Sequence, residues 1–283
     1  MAGHVLFCLT VMVFITKVPS RRVVDLSYDM DYNSLTYPIN PRFNLSIQYS
    51  GPYGTAPWLE FGNVEFAEHT GTHVDSPNHF DKNGLQAHQV SLEQLMGPGV
   101  VINVKANAAN DIDYQVTDQD LMAWEEKHGR IPNGAIILMN SGWGSRYPDF
   151  ASVYNSSTFQ EDFSSLHYPG FHLNAAQWLV NNRDINAIGC DTPSADYGRS
   201  SSFPVHQLVM KEGILIIENI ANMDKLPASG SYIYVPMLKF RGGTGSPARM
   251  FAAIEDEGDR TNSATSVFSF VSVVGYVAIL ALF

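Results

Sequence analysis

Between His69 and Phe80 the chain reads "HTGTHVDSPNHF", which sets three of its nine histidines beside an aspartate, a glycine and a proline. Imidazole and carboxylate are the groups that bind zinc, and manganese accepts the same donors. Spacing decides which of them can act together. On a helix His69 and His73 would share a face, but Asp75 would point elsewhere and Pro77 would break the turn. On an extended chain positions 69, 71, 73 and 75 share one face. Four residues of flat strand span about 13 Å, too far for both imidazoles to reach one ion. The backbone must therefore bend near Gly71, which glycine permits and where no side chain obstructs. His73 and Asp75 need no bend. His69, His73 and Asp75 are candidate metal ligands, and three protein ligands leave a position for water, as catalytic sites do.

The other histidines are dispersed. His88, His128, His172 and His167 are expected to be structural, because isolated histidines are more often core or surface residues than ligands.

The stretch fills every fixed position of the His-x-Gly-Thr-His-x-Asp-x-Pro-x-His signature and so resembles the cyclase family, with its metal-dependent bacterial kynurenine formamidases and its isatin hydrolases. Downstream, "HQLVMKEGILIIE" places His206 and Glu218 twelve residues apart, the family's spacing for the rest of the metal site. "MNSGWG", "GCDTPSADYG" and "RGGTGSPARMFA" resemble further blocks, so the likeness runs over roughly residues 23–253. It implies an α/β class and a swivelling β/β/α fold, with a central strand layer or barrel wrapped by helices, and a homodimer. It also implies two ions, Zn2+ or Mn2+. His69, His73 and Asp75 would hold one, and Asp75 would bridge to a second held by His206 and Glu218. Glu at 218 is the formamidase-like choice where the isatin hydrolases carry Gln. The family assigns proton transfer to the histidine at position 79.

A metal ion lowers the pKa of a bound water and polarises a carbonyl. An amide nitrogen still needs a proton before it leaves, and His79 would supply it. Trp58, Phe61, Phe80 and Trp143 are candidate aromatic walls for a planar substrate. Asp191 and Ser194 are candidates for orienting the ligands. Cys190 reads as a small buried hydrophobe. The function expected is a metal-dependent amidohydrolase cleaving an aryl or cyclic amide of the N-formylkynurenine or isatin kind. The alternatives are a lactone or other ring hydrolase with the same site, and a non-catalytic, metal-stabilised surface binding protein. His79 and Glu218 weigh against the last, since a pure binder needs no spare proton carrier.

These residues need a scaffold. The chain has 283 residues, of which 45% are hydrophobic, enough for one domain with a sizeable core. Net charge is −11 with scattered Lys and Arg, which argues against nucleic acid as a partner. Strands are expected in "RVVDLSY", in "GVVINVKA" after a Gly-Pro-Gly break, and in "NGAIILMNSGW", "INAIGCDTPS" and "ILIIENI". "SYIYVPMLKF" carries a proline and reads as an edge strand. Helices are expected in "DQDLMAWEEKHG", stopped by Gly129, in "NAAQWLVNNR", capped by Asn174, and in "PVHQLVMKEG".

The ends read differently. Residues 1–20 hold a short apolar run, with Cys8, that resembles a secretory signal peptide cleaved after Ser20. Residues 22–255 form the hydrolase domain, with one cysteine and no internal disulfide. Residues 256–283 combine a polar, small-residue spacer with a terminal apolar tail, the pattern of a GPI-attachment signal, with Asp256 or Ser263 as the attachment residue. A short membrane-spanning tail is the rival. Sequons at Asn44 and Asn155 fit a secreted glycoprotein. The expected location is the extracellular face of the plasma membrane, through a C-terminal lipid anchor, or the secreted fraction.

Overall fold

The structure is a computed structural model that describes residues 8–11, 21–37, 40–156, 165–255 and 271–274. The first strands are β1 (Cys8–Val11), β2 (Arg21–Asp25), β3 (Asn44–Tyr53), β4 (Ala56–Glu65), β5 (His73–Asp75) and β6 (Met96–Asn103). Helix α1 (Lys105–Asn110), β7 (Gln115–Val116), α2 (Asp118–His128), β8 (Ala135–Asn140), α3 (Phe150–Tyr154), β9 (Gly170–Phe171), α4 (Leu173–Asn182) and β10 (Ile185–Cys190) follow. The chain continues through α5 (Pro204–Lys211), β11 (Leu215–Glu218), β12 (Ser231–Tyr234), β13 (Gly245–Pro247), β14 (Phe251–Glu255) and β15 (Val271–Val274). Val23–Ile254 make one compact unit. Outside it, β1 and β15 pair with each other antiparallel. The leader and tail expectations otherwise fall outside the described residues. Among the described residues no helix is long and apolar enough to cross a membrane.

Nine strands form one curled, half-barrel sheet in the order β13-β5-β11-β10-β8-β6-β12-β14-β2. Its centre, β6, β8, β10 and β11, is parallel, and β5, β12 and β13 join antiparallel. Parallel strands need crossovers, and the helices supply them. Both faces of the centre are therefore covered, which explains why "AIILMN" of β8 is apolar almost throughout and wholly buried. Ala135, Ile137 and Met139 pack with Leu121 and Trp124 of α2, Leu179 of α4 and Val209 of α5. Ile136 and Leu138 face the other way, into a second core with Val101, Ile217, Ile233 and Ala252.

The α/β class and the strand layer flanked by helices are as expected. Three local expectations are corrected. β12 is interior, between β6 and β14, and ends at Tyr234, so Pro236 lies beyond it and denies the sheet no hydrogen bond. β6 begins at Met96 and runs through the Gly-Pro-Gly segment. Helix α4 starts at Leu173, and His172 is its cap, with Nδ1 accepting from the Asn174 N–H. A hairpin was not foreseen: among the described residues β3 and β4 pair only with each other, and most of their residues are exposed.

Candidate active site

The histidine stretch bends where the spacing requires. Gly71 takes φ +61° and donates its N–H to the Leu35 carbonyl. Beyond it the chain extends into β5. Val74 turns into the second core, so His73 and Asp75 point to the opposite face, the one that α5 covers. β11 lies antiparallel beside β5 with Glu218 directly opposite His73. His206 enters from the first turn of α5. Five residues from three parts of the chain thus meet in one place.

The distances are short. His73 Nε2 lies 3.4 Å from Asp75 Oδ1 and 3.3 Å from Glu218 Oε2. His206 Nε2 lies 3.5 Å from Asp75 Oδ2 and 3.2 Å from Glu218 Oε1. His69 Nδ1 lies 2.6 Å from Asp75 Oδ1. Donor atoms of His73, Asp75 and Glu218 all fall within 4.8 Å of one another, and so do those of His69, Asp75 and His79. Asp75 belongs to both groups, as a bridging carboxylate would. The resemblance groups His69 with His73, whose ring centroids lie 5.3 Å apart; the register also sets Glu218 beside His73, and His69 stacks on His79.

The outer ring nitrogens decide what this cluster can hold. His73 Nδ1–H donates to the Gly71 carbonyl at 2.9 Å. His206 Nδ1–H donates to Asp196 Oδ2 at 2.7 Å, and the same carboxylate accepts the Val205 and His206 backbone N–H groups at the start of α5. In the neutral imidazoles the inner Nε2 atoms therefore carry lone pairs, and they face carboxylate oxygens. His73 Nε2 is buried without a hydrogen-bond partner. Lone pairs gathered against buried carboxylates need a cation between them, either protons or a metal. Imidazole nitrogens and carboxylate oxygens at such spacing fit a divalent metal. Without one, protons fill the role. Burial would lower the His73 pKa, but the adjacent carboxylates of Asp75 and then Glu218 lift it to about 10. Burial pushes Asp75 up, yet the imidazoles of His69, His206 and His73 hold it well below the usual carboxylate range.

His79 sits on the short 3-10 turn after β5 and stacks on His69, ring centroids 4.2 Å apart. Burial lowers its pKa, which keeps the ring neutral near pH 7. It opens, with the cluster, on a cavity of about 410 Å³ walled by Leu35, Phe80, Tyr154, Phe203 and Pro193. Of the four aromatic candidates only Phe80 lines it. Trp58 and Phe61 stand on β4, 63% and 55% exposed, away from the cavity lining. Trp143 is buried in a separate cluster with Val153 and Leu166. Tyr154 and Phe203, which were not foreseen, take the wall positions.

Ser194 lines the cavity, with its buried Oγ unpartnered. Asp191 does not orient a ligand: its oxygens accept from Ser141 N–H and O–H and from Gly144 N–H. Asp196 does that work for His206, two residues past Ser194 in the "GCDTPSADYG" block. Its position ahead of the proline of α5 was the available cue. Cys190 is buried, and burial raises its thiol pKa. His172 caps α4, His167 bonds to Asp113 at 2.9 Å and His128 packs on Trp124.

Comparison with known proteins agrees with this fold. The family model described as "Putative cyclase" matches residues 24–197. An isatin hydrolase from Roseibium aggregatum is 31% identical over 212 residues, 72% of this chain and 76% of that one. A kynurenine formamidase from Bacillus cereus is 26% identical over 229 residues, 80% of this chain and 94% of that one. Among solved structures, isatin hydrolase A from Labrenzia aggregata bound to benzyl benzoate superimposes with a TM-score of 0.75 at 30% identity, covering 83% of this chain and 94% of its own. Fold, donor set and relatives define an enzyme of the metal-dependent amidohydrolase class. The chain belongs to the cyclase family.

Proposed function

We propose that this enzyme hydrolyses an aryl amide, cyclic as in isatin or N-acylated as in N-formylkynurenine, at a site holding two Zn2+ or Mn2+ ions. The observation that carries this is the buried cluster of three imidazoles and two carboxylates on the floor of an aromatic-walled cavity. Among the described residues none that lines the cavity is a Lys or Arg, which favours the uncharged isatin ring over N-formylkynurenine, whose own carboxylate needs pairing. Names among the relatives point to both substrates, the isatin hydrolase at the higher identity.

His73, His206, Asp75 and Glu218 would hold one ion, and His69 with Asp75 the other. Bound metal supplies Lewis acidity and an activated water at neutral pH. Phe80, Tyr154 and Phe203 orient the ring and exclude bulk water. His79, neutral and facing the cavity, takes a proton during attack and returns it to the departing nitrogen, so the C–N bond breaks to give an amine and a carboxylate.

Metal analysis, together with assays on aryl amides, cyclic imides and lactones, tests the reading. Turnover of an aryl amide by metal-loaded protein is expected. A loaded protein that opens only lactones, or none of these, overturns it.

Two further parts of the proposal concern setting. The β3/β4 hairpin exposes Leu45, Ile47, Trp58, Phe61 and Val64 on its two faces, apolar surface suited to a second copy of the chain, hence a homodimer. The segments 1–20 and 256–283 support export and lipid anchoring at the cell surface. Release from intact cells by phosphatidylinositol-specific phospholipase C is expected; a mature chain that keeps Phe283 would exclude the anchor.

A further inference from the structure

His69 reaches the cluster from a loop rather than from β5, so something else must fix its ring. The "GGTG" segment, Gly242 to Gly245, does this together with Glu68. His69 Nε2 lies 3.0 Å from Thr244 Oγ1. Thr244 Oγ1 lies 2.6 Å from Glu68 Oε2, and the Thr244 N–H donates to the same oxygen at 2.9 Å. A carboxylate only accepts, so the threonine hydroxyl spends its single proton on Glu68. Its lone pair must then accept from His69, which assigns the ring proton to Nε2. Nδ1 is left with its lone pair toward Asp75 Oδ1, 2.6 Å away.

The two glycines flanking Thr244 make this fit possible. A Cβ at Gly245 would come within 2.7 Å of His69 Cε1, and one at Gly243 within 2.7 Å of Glu68 Oε1. Both atoms belong to side chains of the relay, so the segment packs closely against it; a Cβ at Gly245 would also meet the Val74 carbonyl oxygen at 2.7 Å.

We propose that Glu68 and Thr244 are positioning residues for the metal centre: a carboxylate–hydroxyl–imidazole relay that holds His69 in the Nε2–H tautomer and presents Nδ1 to the ion. The proposal rests on the metal-binding reading of this site. His206 has the analogous partner in Asp196 and His73 in the Gly71 carbonyl, so each of the three imidazoles has its outer nitrogen committed as a donor. Such outer partners typically change metal affinity by roughly 10–100-fold when removed.

The test uses the full chain with Zn2+ as the probe, titrated against a chelator of known affinity. Glu68→Ala and Thr244→Val are expected to weaken Zn2+ by roughly 10–100-fold. Thr244→Ser keeps the hydroxyl and is expected to restore wild-type affinity, which a purely steric role for Thr244 would not allow. A second readout needs no metal: the His69 Nε2 proton, assigned by 15N-labelled histidine NMR, is expected to be protected from exchange in wild type and Thr244→Ser and unprotected in Thr244→Val. Wild-type affinity in both Glu68→Ala and Thr244→Val, or a Thr244→Ser protein as weak as Thr244→Val, overturns the relay. So does an unprotected His69 Nε2 proton in the wild type. If wild-type protein binds no Zn2+, the metal reading fails, and the NMR result still decides the hydrogen-bond relay.

Discussion

The cavity floor and the β3/β4 hairpin invert the ordinary distribution of polar and apolar groups, in opposite senses. On the floor His73, Asp75, His206 and Glu218 are each at most 5% exposed. On the hairpin Trp58, Phe61 and Leu45 are each at least 55% exposed. Buried charge without compensation is costly, and a broad exposed apolar face favours association. Each inversion calls for something the chain itself does not supply. The floor calls for a cation, the hairpin for another surface. The difference lies in the support. The floor residues are pinned by sheet register and by Asp196, while the hairpin is a two-stranded ribbon, which alone is marginal in water.

The largest effect should come from the residue both donor groups share. Asp75→Asn keeps shape and removes the charge, so bound metal and amide hydrolysis are both expected to fall to background, read by elemental analysis and turnover. Glu218→Ala should lower metal and activity together by a smaller amount. Full metal with full activity in either variant would show that the floor is not compensated by a cation.

Removing the metal should expose a pH dependence whose sign can be worked out. In the metal-free protein His73 is raised from 6.5 to about 10, so its contribution to stability is complete below pH 6.5 and is lost as pH rises toward 10. Asp75 is lowered below 3.8, so its contribution is complete above that value and lost on acidification. The chelated protein should therefore melt highest between these limits and progressively lower toward alkaline pH. Metal competes with protons for the same nitrogens, so Zn2+ should raise the melting temperature most at the alkaline end. A metal-free melting temperature that is flat from pH 6.5 to 10 would break the argument.

His79 marks the rim of the floor. If it only carries protons, His79→Ala should retain metal and lose roughly 10²–10⁴ in rate on amides. Activated esters expel a stable leaving group unaided, so they should lose much less. Because its donor atom lies within 4.8 Å of those of His69 and Asp75, loss of metal in His79→Ala is the outcome that would make it a ligand instead.

How far these regions could be read from the sequence follows from where their information lies. That His69, His73 and Asp75 come together around a bend at Gly71 was legible because the side chains and the bend are local. His206 and Glu218 came through family resemblance, since no periodicity brings β11 beside β5. Asp196, Thr244 and Glu68 were not read, because their roles depend on hydrogen bonds across the fold, up to 176 residues apart. The parallel strands were legible from continuous apolar runs such as "AIILMN". The hairpin carried a Gly54-Thr55 turn and apolar residues on alternate positions, signals that a search for a buried core passes over. Trp58 and Phe61 lie on the exposed hairpin and not in the cavity lining of their own chain: aromatic character says that a residue wants a partner, and leaves open whether that partner is substrate, core or another chain.

The smallest effect on chemistry, and the sharpest on assembly, is expected from the hairpin. Leu45 pairs with Val64 and Tyr49 with Phe61 across the two strands, and Tyr49 and Phe61 stack with centroids 6.1 Å apart. Such aromatic and branched pairs stabilise a ribbon, but they leave its outer faces wet. In a homodimer built on this hairpin, Trp58 and Phe61 would be central anchors, and truncating an anchor typically costs about 2 kcal/mol or more, close to 30-fold in the dissociation constant. The Trp58→Ser, Phe61→Ser double variant should therefore shift the dimer toward monomer in sedimentation equilibrium. Its metal content should stay unchanged, since neither residue lines the cavity of its own chain. A wild-type chain that sediments as a monomer at micromolar concentration, or a double variant whose dimer is undiminished, would leave the hairpin's exposed face to a different partner. A monomeric variant that keeps its metal and loses most of its turnover would tie the regions together, because the hairpin of one copy would then be completing the cavity of the other.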